Sequence, residues 1–292
     1  MANRISKNHH YLPQCYLKGF THNGKQLFIY DKKKDEIRPG NIENSFTLWK
    51  RNVITWPSGE TNDWLENMYS VIESQSAYLF PKIIDSSPKE QAYDQQDKLM
   101  MSLFISVLFW RIPGMDNSVQ KIISKTGLKN RKFHLEYPNS WTEKDKDRIE
   151  SLILAEPGFQ KVFPLLLALE PFQHKNFSVF LETWAFYYQD PGLVFTADIP
   201  YISREEGSPK DMMNEFILPL SPGRILIASR KHDRQLDPEW NKLVNLQLIH
   251  QAERYVCSNN EHLLRDMVDL YKIGSLLGKY NDLKESIFDY VE

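Results

Sequence analysis

The run from Leu99 to Trp110 constrains the fold most. It is apolar nearly all round, too short to cross a bilayer, and ends in Arg111. A segment of that kind has to lie deep in a packed core. The spacing predicts a helix from about Gln91 to Trp110 that stops at Arg111-Ile112-Pro113-Gly114, because proline disfavours helix in the residue before it. With 292 residues the chain can bury a substantial core around that helix.

Strands flank the helical middle on both sides. Gln26-Leu27-Phe28-Ile29-Tyr30-Asp31 reads as a strand and Lys32 to Glu36 as a charged turn. Short extended pieces follow at Phe46 to Trp49 and Asn52 to Thr55. Asp63 and Glu66 predict a capping box ahead of a helix whose core face is Trp64, Leu65, Met68, Tyr69 and Ile72. Asp116 to Asn139 is polar and weakly periodic. Thr142 opens a charged helix, and Pro157-Gly158 separates it from another containing Val162 to Leu169.

Strands then return at Trp184–Tyr188, Leu193–Thr196, Glu215–Leu218 and Arg224–Ala228. Asp237-Pro238 starts a helix to about Arg254, with two more helices after it. This order predicts an α+β protein with one mainly antiparallel sheet, which the N-terminal strands could join. One domain is expected over 1–292: N-terminal strands 1–60, helical middle 61–180, second strand group 181–232 and C-terminal helices 237–292.

A net charge of −2 argues against a protein that coats DNA by bulk electrostatics, though 36 lysines and arginines could still form a local groove. The two cysteines, Cys15 and Cys257, make neither a disulfide framework nor a cysteine zinc site. The N-terminus lacks the apolar core of a signal peptide. The expectation is a cytoplasmic protein with no membrane partner. There is no phosphate-binding glycine loop, no G-x-S-x-G and no H-E-x-x-H.

The densest polar stretch is His9-His10-Tyr11-Leu12-Pro13-Gln14-Cys15-Tyr16-Leu17-Lys18-Gly19-Phe20. On an extended chain His9 and His10 point to opposite faces. His10 is a candidate general acid or base, or a structural tie for the N-terminal arm. Gln14 could orient a substrate oxygen or pair with backbone, and Tyr11 could stack on a base or pack in the core. Cys15 reads as a structural thiol. Asp198 sits just past an apolar strand, as a metal ligand or base, or as the hinge of an Asx turn. Arg111 leaves a buried helix and needs either a phosphate or an internal carboxylate. Glu73 is a further acid or metal candidate, whereas Glu66 is accounted for as a cap. Asn245 is polar amid Leu243, Val244 and Leu246.

Together these pieces resemble a bacterial family, the domain of unknown function DUF4238. Its opening, H-H-Y-x-P-Q-x-Y-L-x-x-F, is matched from His9 to Phe20. R-x-P is matched by Arg111-Ile112-Pro113, and T-S-D-x-P by Thr196-Ala197-Asp198-Ile199-Pro200, with alanine where serine is usual. P-L-S-P is Pro219 to Pro222, and the ending resembles Asn245 with Ala252 to Ser258.

The resemblance implies a role in defence against phage, and no established chemistry. On it rests the expectation that His10, Gln14, Arg111, Asp198 and Asn245 gather in one pocket. The leading reading is a nuclease: His10 as acid or base, Asp198 as base or metal ligand, Arg111 as phosphate clamp, and Gln14, Tyr11 and Asn245 as substrate contacts, with a divalent metal as candidate cofactor and nucleic acid as partner. The alternatives are a non-enzymatic sensor of a phage protein, in which the matched residues are a folding nucleus, and an enzyme acting on a small nucleotide such as a nicotinamide dinucleotide.

Overall fold

The apolar run forms the body of a helix, Gln95–Arg111, in the computed structural model, which describes residues 8–85, 93–126, 138, 140–173, 175, 177–188, 193–204, 215–229, 238–278, 280 and 282–291. The helix starts later than its apolar spacing predicts because Asp94 caps it. Asp97 N–H donates to Asp94 Oδ1 at 2.8 Å, and Asp94 N–H donates back to Asp97 Oδ2 at 3.3 Å. From Met101 to Arg111 every residue but Leu103 is buried. It ends where expected, with Ile112 extended ahead of Pro113.

In chain order the strands and helices are β1 (Asn8–His10), α1 (Gln14–Leu17), β2 (Gln26–Asp31), β3 (Glu36–Asn41), β4 (Thr47–Trp49), β5 (Ile54–Thr55) and β6 (Thr61–Asn62). The helical middle is α2 (Trp64–Ser76), α3 (Leu79–Asp85), α4 (Gln95–Arg111), α5 (Asp116–Thr126), α6 (Glu143–Ala155), α7 (Pro157–Leu169) and α8 (Phe177–Leu181). Then come β7 (Trp184–Tyr188), β8 (Thr196–Ala197), β9 (Ile202–Ser203), β10 (Phe216–Ser221), β11 (Arg224–Ala228), α9 (Pro238–Gln251), β12 (Tyr255–Ser258), α10 (Glu261–Leu276) and α11 (Leu283–Val291).

The class is α+β, but among the described residues the strands form two four-stranded antiparallel sheets and two small ribbons rather than one sheet. One sheet runs β3-β2-β12-β8 and the other β7-β11-β10-β9; β1 pairs with β4 and β5 with β6. The N-terminal hairpin does join later strands, through β12. That strand breaks the run of C-terminal helices expected from the sequence: α9 stops at Gln251 and Tyr255–Ser258 is extended between β2 and β8.

Strand alternation builds three layers. Phe216, Leu218 and Leu220 of β10, with Leu226 and Ala228 of β11, face a core shared with α2, α4 and α7. Ile217, Ile225 and Ile227 face the opposite core, shared with α9, α10 and α11. The sheets lie between two helical layers, so β10 is buried on both faces.

The N-terminal signature is threaded into the first core. The Tyr16 hydroxyl, fully buried, donates to the Pro219 carbonyl at 2.8 Å and lies 2.7 Å from Thr196 Oγ1. Gly19 is required by a close approach, since a Cβ there would come within 2.7 Å of the Leu220 carbonyl. Thr142 caps α6 as expected, with its side chain accepting from Asp145 N–H. Asp237, expected as the cap of α9, and the polar stretch past Thr126 lie outside the described residues. Among the described residues no single helix is long and apolar enough to cross a membrane.

Candidate functional site

The β1–β4 pairing holds His9 and His10 in extended backbone, so their rings leave on opposite sides. His9 is fully buried, and its Nδ1 accepts the Asn52 N–H at 2.9 Å. Glu66 Oε2 lies 3.7 Å from the same nitrogen. Glu66 accepts from Asn52 Nδ2 at 2.6 Å. The capping box predicted for Asp63 and Glu66 does not form, because this tertiary bond takes the glutamate; Asp63 makes no side-chain cap.

His10 is half-buried. Its Nε2 lies 2.9 Å from the Ile42 carbonyl, a bond that needs the proton on Nε2 and leaves the lone pair on Nδ1. Burial lowers its pKa from the ordinary 6.5, against the opposing pull of the Ile42 bond, so the ring is neutral at pH 7. The exposed Gln14 carboxamide sits 3.4 Å from the same Nε2.

Arg111 is tied down from three directions. It donates from one terminal nitrogen to Glu73 and from the other to the His10 carbonyl, and its guanidinium lies 4.5 Å over the Tyr69 ring. Glu66, Tyr69 and Glu73 share one face of α2, which places all three beside the strand–helix junction. Its side chain is 2% exposed, so the internal-carboxylate reading of Arg111 is the one realised. Cys15 beside this group has its thiol pushed up to about 12 by burial and by Glu73, which keeps it protonated and poorly nucleophilic.

Asp198 and Asn245 serve backbone. The Asp198 carboxylate accepts from three consecutive amides, Glu253 (3.1 Å), Arg254 (2.7 Å) and Tyr255 (2.9 Å). Burial raises its pKa, and the three amides pull the other way. Asn245 uses Oδ1 to accept from Phe195 N–H at 2.9 Å and Nδ2 to donate to the Leu193 carbonyl at 2.6 Å, which holds the segment entering β8 on α9. Tyr11 is buried, edge-on to Phe46 at 5.9 Å, and burial followed by the nearby Asp198 carboxylate raises its hydroxyl pKa. It packs in the core, so base stacking is not open to it.

The predicted residues are thus only partly brought together. His10, Gln14, Arg111 and Glu73 form one group; Asp198 and Asn245 are separate fastenings. A half-open cavity of about 330 Å³ lies against the Arg111 end of the first group, and of the seven predicted residues only Arg111 lines it. Among the described residues no three of His, Cys, Asp and Glu gather where they could hold a metal, so neither Asp198 nor Glu73 belongs to such a set. Among the cavity's other members, Arg51, Tyr69, Trp110 and Lys161 were not read from the sequence as site residues. They come from four separate parts of the chain; Tyr69 and the apolar run around Trp110 carried a signal for the core, and Arg51 and Lys161 carried none.

Comparison with curated proteins and with solved structures finds no match. A family profile matches residues 8–262, which takes in β1 through the start of α10 and every residue of the signature. The chain therefore belongs to the family described as "Protein of unknown function (DUF4238)".

Proposed function

We propose that this chain acts in the bacterial cytoplasm, in defence against phage, as a single-domain binding module whose signature residues fasten the fold. One observation carries the reading: the signature's polar side chains are largely spent on the chain itself. Asp198 serves three backbone amides, Asn245 serves two backbone groups, Arg111 is committed to Glu73 and the His10 carbonyl, and His10 is held by Ile42. A catalytic carboxylate or phosphate clamp needs free valence toward a substrate, which these groups have largely given up.

A second reading keeps one specific observation in its favour. The His10 ring is neutral, half-exposed and held by Nε2, and its Nδ1 lone pair has no hydrogen-bond partner among the described residues. That is the state of a general base, and it supports a hydrolase acting on nucleic acid or on a small nucleotide.

His10→Gln separates the two. A glutamine amide can replace the Nε2–H bond to Ile42 but cannot take a proton. The module reading expects the variant to melt with the wild type and to reduce phage plating as well as it does. A variant that melts normally yet gives no protection overturns that reading, and nucleic acid and nucleotide pools are then assayed.

A further inference from the structure

Both ends of β4 are set by residues in a backbone conformation that side chains rarely adopt. Phe46 before it and Lys50 after it have φ of 56° and 49°. Such strain persists only where the surroundings hold it, and it collects at binding and catalytic sites. Phe46 is held by the Tyr11 amide, which donates to its carbonyl at 2.9 Å, and by T-shaped packing with the Tyr11 and Tyr255 rings. The Lys50 carbonyl accepts the Val53 N–H at 3.2 Å.

What the bracketed strand displays follows from its register. β4 pairs with β1 so that Thr47 lies opposite His10, Leu48 opposite His9 and Trp49 opposite Asn8. Opposed residues share a face, and alternate residues change face. Fully buried His9 marks the inner face, so Asn8, His10, Thr47 and Trp49 share the outer one. There Trp49 is 62% exposed. It is the diagonal neighbour of His10, a spacing of roughly 7–8 Å that a large ring can reach across.

His10 gives this face a hydrogen-bonding edge. Its Nε2 is turned to the Ile42 carbonyl, and its Nδ1 has no partner among the described residues. Shielded side-chain nitrogens without a partner occur among those residues at Trp110, Arg111 and Trp184; His10 Nδ1 is not one of them, so its lone pair reaches solvent. The exposed Gln14 carboxamide, 3.4 Å from the other ring nitrogen, adds a donor and an acceptor beside it.

A surface indole with an acceptor and an amide next to it matches a nucleobase, which offers a π-face and an edge of donors and acceptors. The charge favours a base carried on a strand. Lys50 is exposed at the end of β4 and pairs with no carboxylate among the described residues, and no residue of the outer face is acidic. The stacking role closed to buried Tyr11 is open at Trp49.

We propose that the outer face of the β1–β4 ribbon binds single-stranded nucleic acid, one base stacking on Trp49 with its edge toward His10 Nδ1 and Gln14 and its phosphate at Lys50. The assignment goes beyond the module reading, which names no ligand, and for its hydrogen-bonding half it rests on the open Nδ1 of the second reading.

Fluorescence anisotropy with a labelled single strand of about ten nucleotides checks it. The strand is compared with a duplex of the same sequence, an abasic strand and free mononucleotides, using wild type, Trp49→Ala, Trp49→Tyr and Lys50→Gln. The expected result is that wild type binds the single strand and binds the duplex and the abasic strand about tenfold more weakly. Trp49→Ala melts with the wild type and loses roughly tenfold in affinity, and Trp49→Tyr regains most of it. Lys50→Gln weakens binding and reduces its salt slope by about one counterion. No binding of the strand by wild type at millimolar concentration, equal affinity for the abasic strand or the duplex, mononucleotides that bind as tightly as the strand, or an unchanged affinity in Trp49→Ala overturns the proposal. A strand that binds through Trp49 and stays intact in the presence of divalent metal removes the hydrolase reading and leaves the site. A strand cut alike by wild type and Trp49→Ala keeps the hydrolase and removes the site.

Discussion

Asp198 and Tyr255 hold each other through two hydrogen bonds: Tyr255 N–H donates to Asp198 Oδ2 at 2.9 Å, and Asp198 N–H donates to the Tyr255 carbonyl at 2.9 Å. The pair joins the end of β8 to the start of β12, so a residue that reads as catalytic from its sequence setting is the latch of a central sheet. Glu253 and Arg254 add their amides to the same carboxylate.

Replacing that carboxylate has a defined cost. Asp198→Ala leaves three amides without their acceptor, each worth about 1 kcal/mol or more when buried, for a total of about 3 kcal/mol. In a chain of this size that lowers the melting temperature by about 5 °C. Asp198→Asn keeps one acceptor oxygen and loses less. Thermal unfolding of the two variants checks the order.

Arg111 and Glu73 couple. Glu73→Ala leaves a guanidinium that is 2% exposed without its carboxylate, at a cost of about 3–5 kcal/mol. Adding Arg111→Met removes the stranded charge, so the double variant is more stable than Glu73→Ala alone. Urea unfolding of the three variants gives the coupling, and simple additivity contradicts it.

His10 makes stability depend on pH. Burial depresses its folded pKa below the ordinary 6.5, so between those values the unfolded chain binds more protons than the folded one. Stability contributed by the neutral ring is present above pH 6.5 and is lost as pH falls through the folded value. His250 is depressed in the same direction, also by burial, so His10 is isolated by comparing wild type with His10→Gln. Urea midpoints measured from about pH 5 to 7.5 should fall more steeply in wild type on acidification, and identical slopes would refute this.

Lys32, in the turn after β2, closes the C-terminus of α9. Its ammonium donates to the carbonyls of Ile249 (2.7 Å), His250 (3.2 Å) and Ala252 (2.6 Å), the end of the helix where a cation is favoured. The charged turn is thus partly a structural strut. Lys32→Met should cost about 1–2 kcal/mol and speed amide exchange near residue 252, read by mass spectrometry.

Elements with strong local periodicity were legible in the sequence. The strands at Gln26–Asp31, Trp184–Tyr188 and Arg224–Ala228 and the helix through Trp110 formed as their patterns predict. Tyr255–Ser258 was not legible, because four residues after a helix carry little local signal and become a strand only by pairing with β2 and β8. The Asp63–Glu66 box failed for a related reason: Asn52, distant in sequence, takes the glutamate. For the site, Arg111 was legible as a buried cation in need of a carboxylate. Its partner position over Tyr69, and the cavity that Arg51 and Lys161 complete, arise from packing among α2, α4, α5 and α7, which single-residue patterns do not encode.

The most direct test of the fastening role is phage protection measured together with melting temperature for wild type, His10→Ala, Asp198→Ala and Asn245→Ala. The account predicts that wild type protects, and that each variant loses protection in proportion to the fall in its melting temperature. A variant that melts with the wild type yet gives no protection would contradict it and return the signature to catalysis.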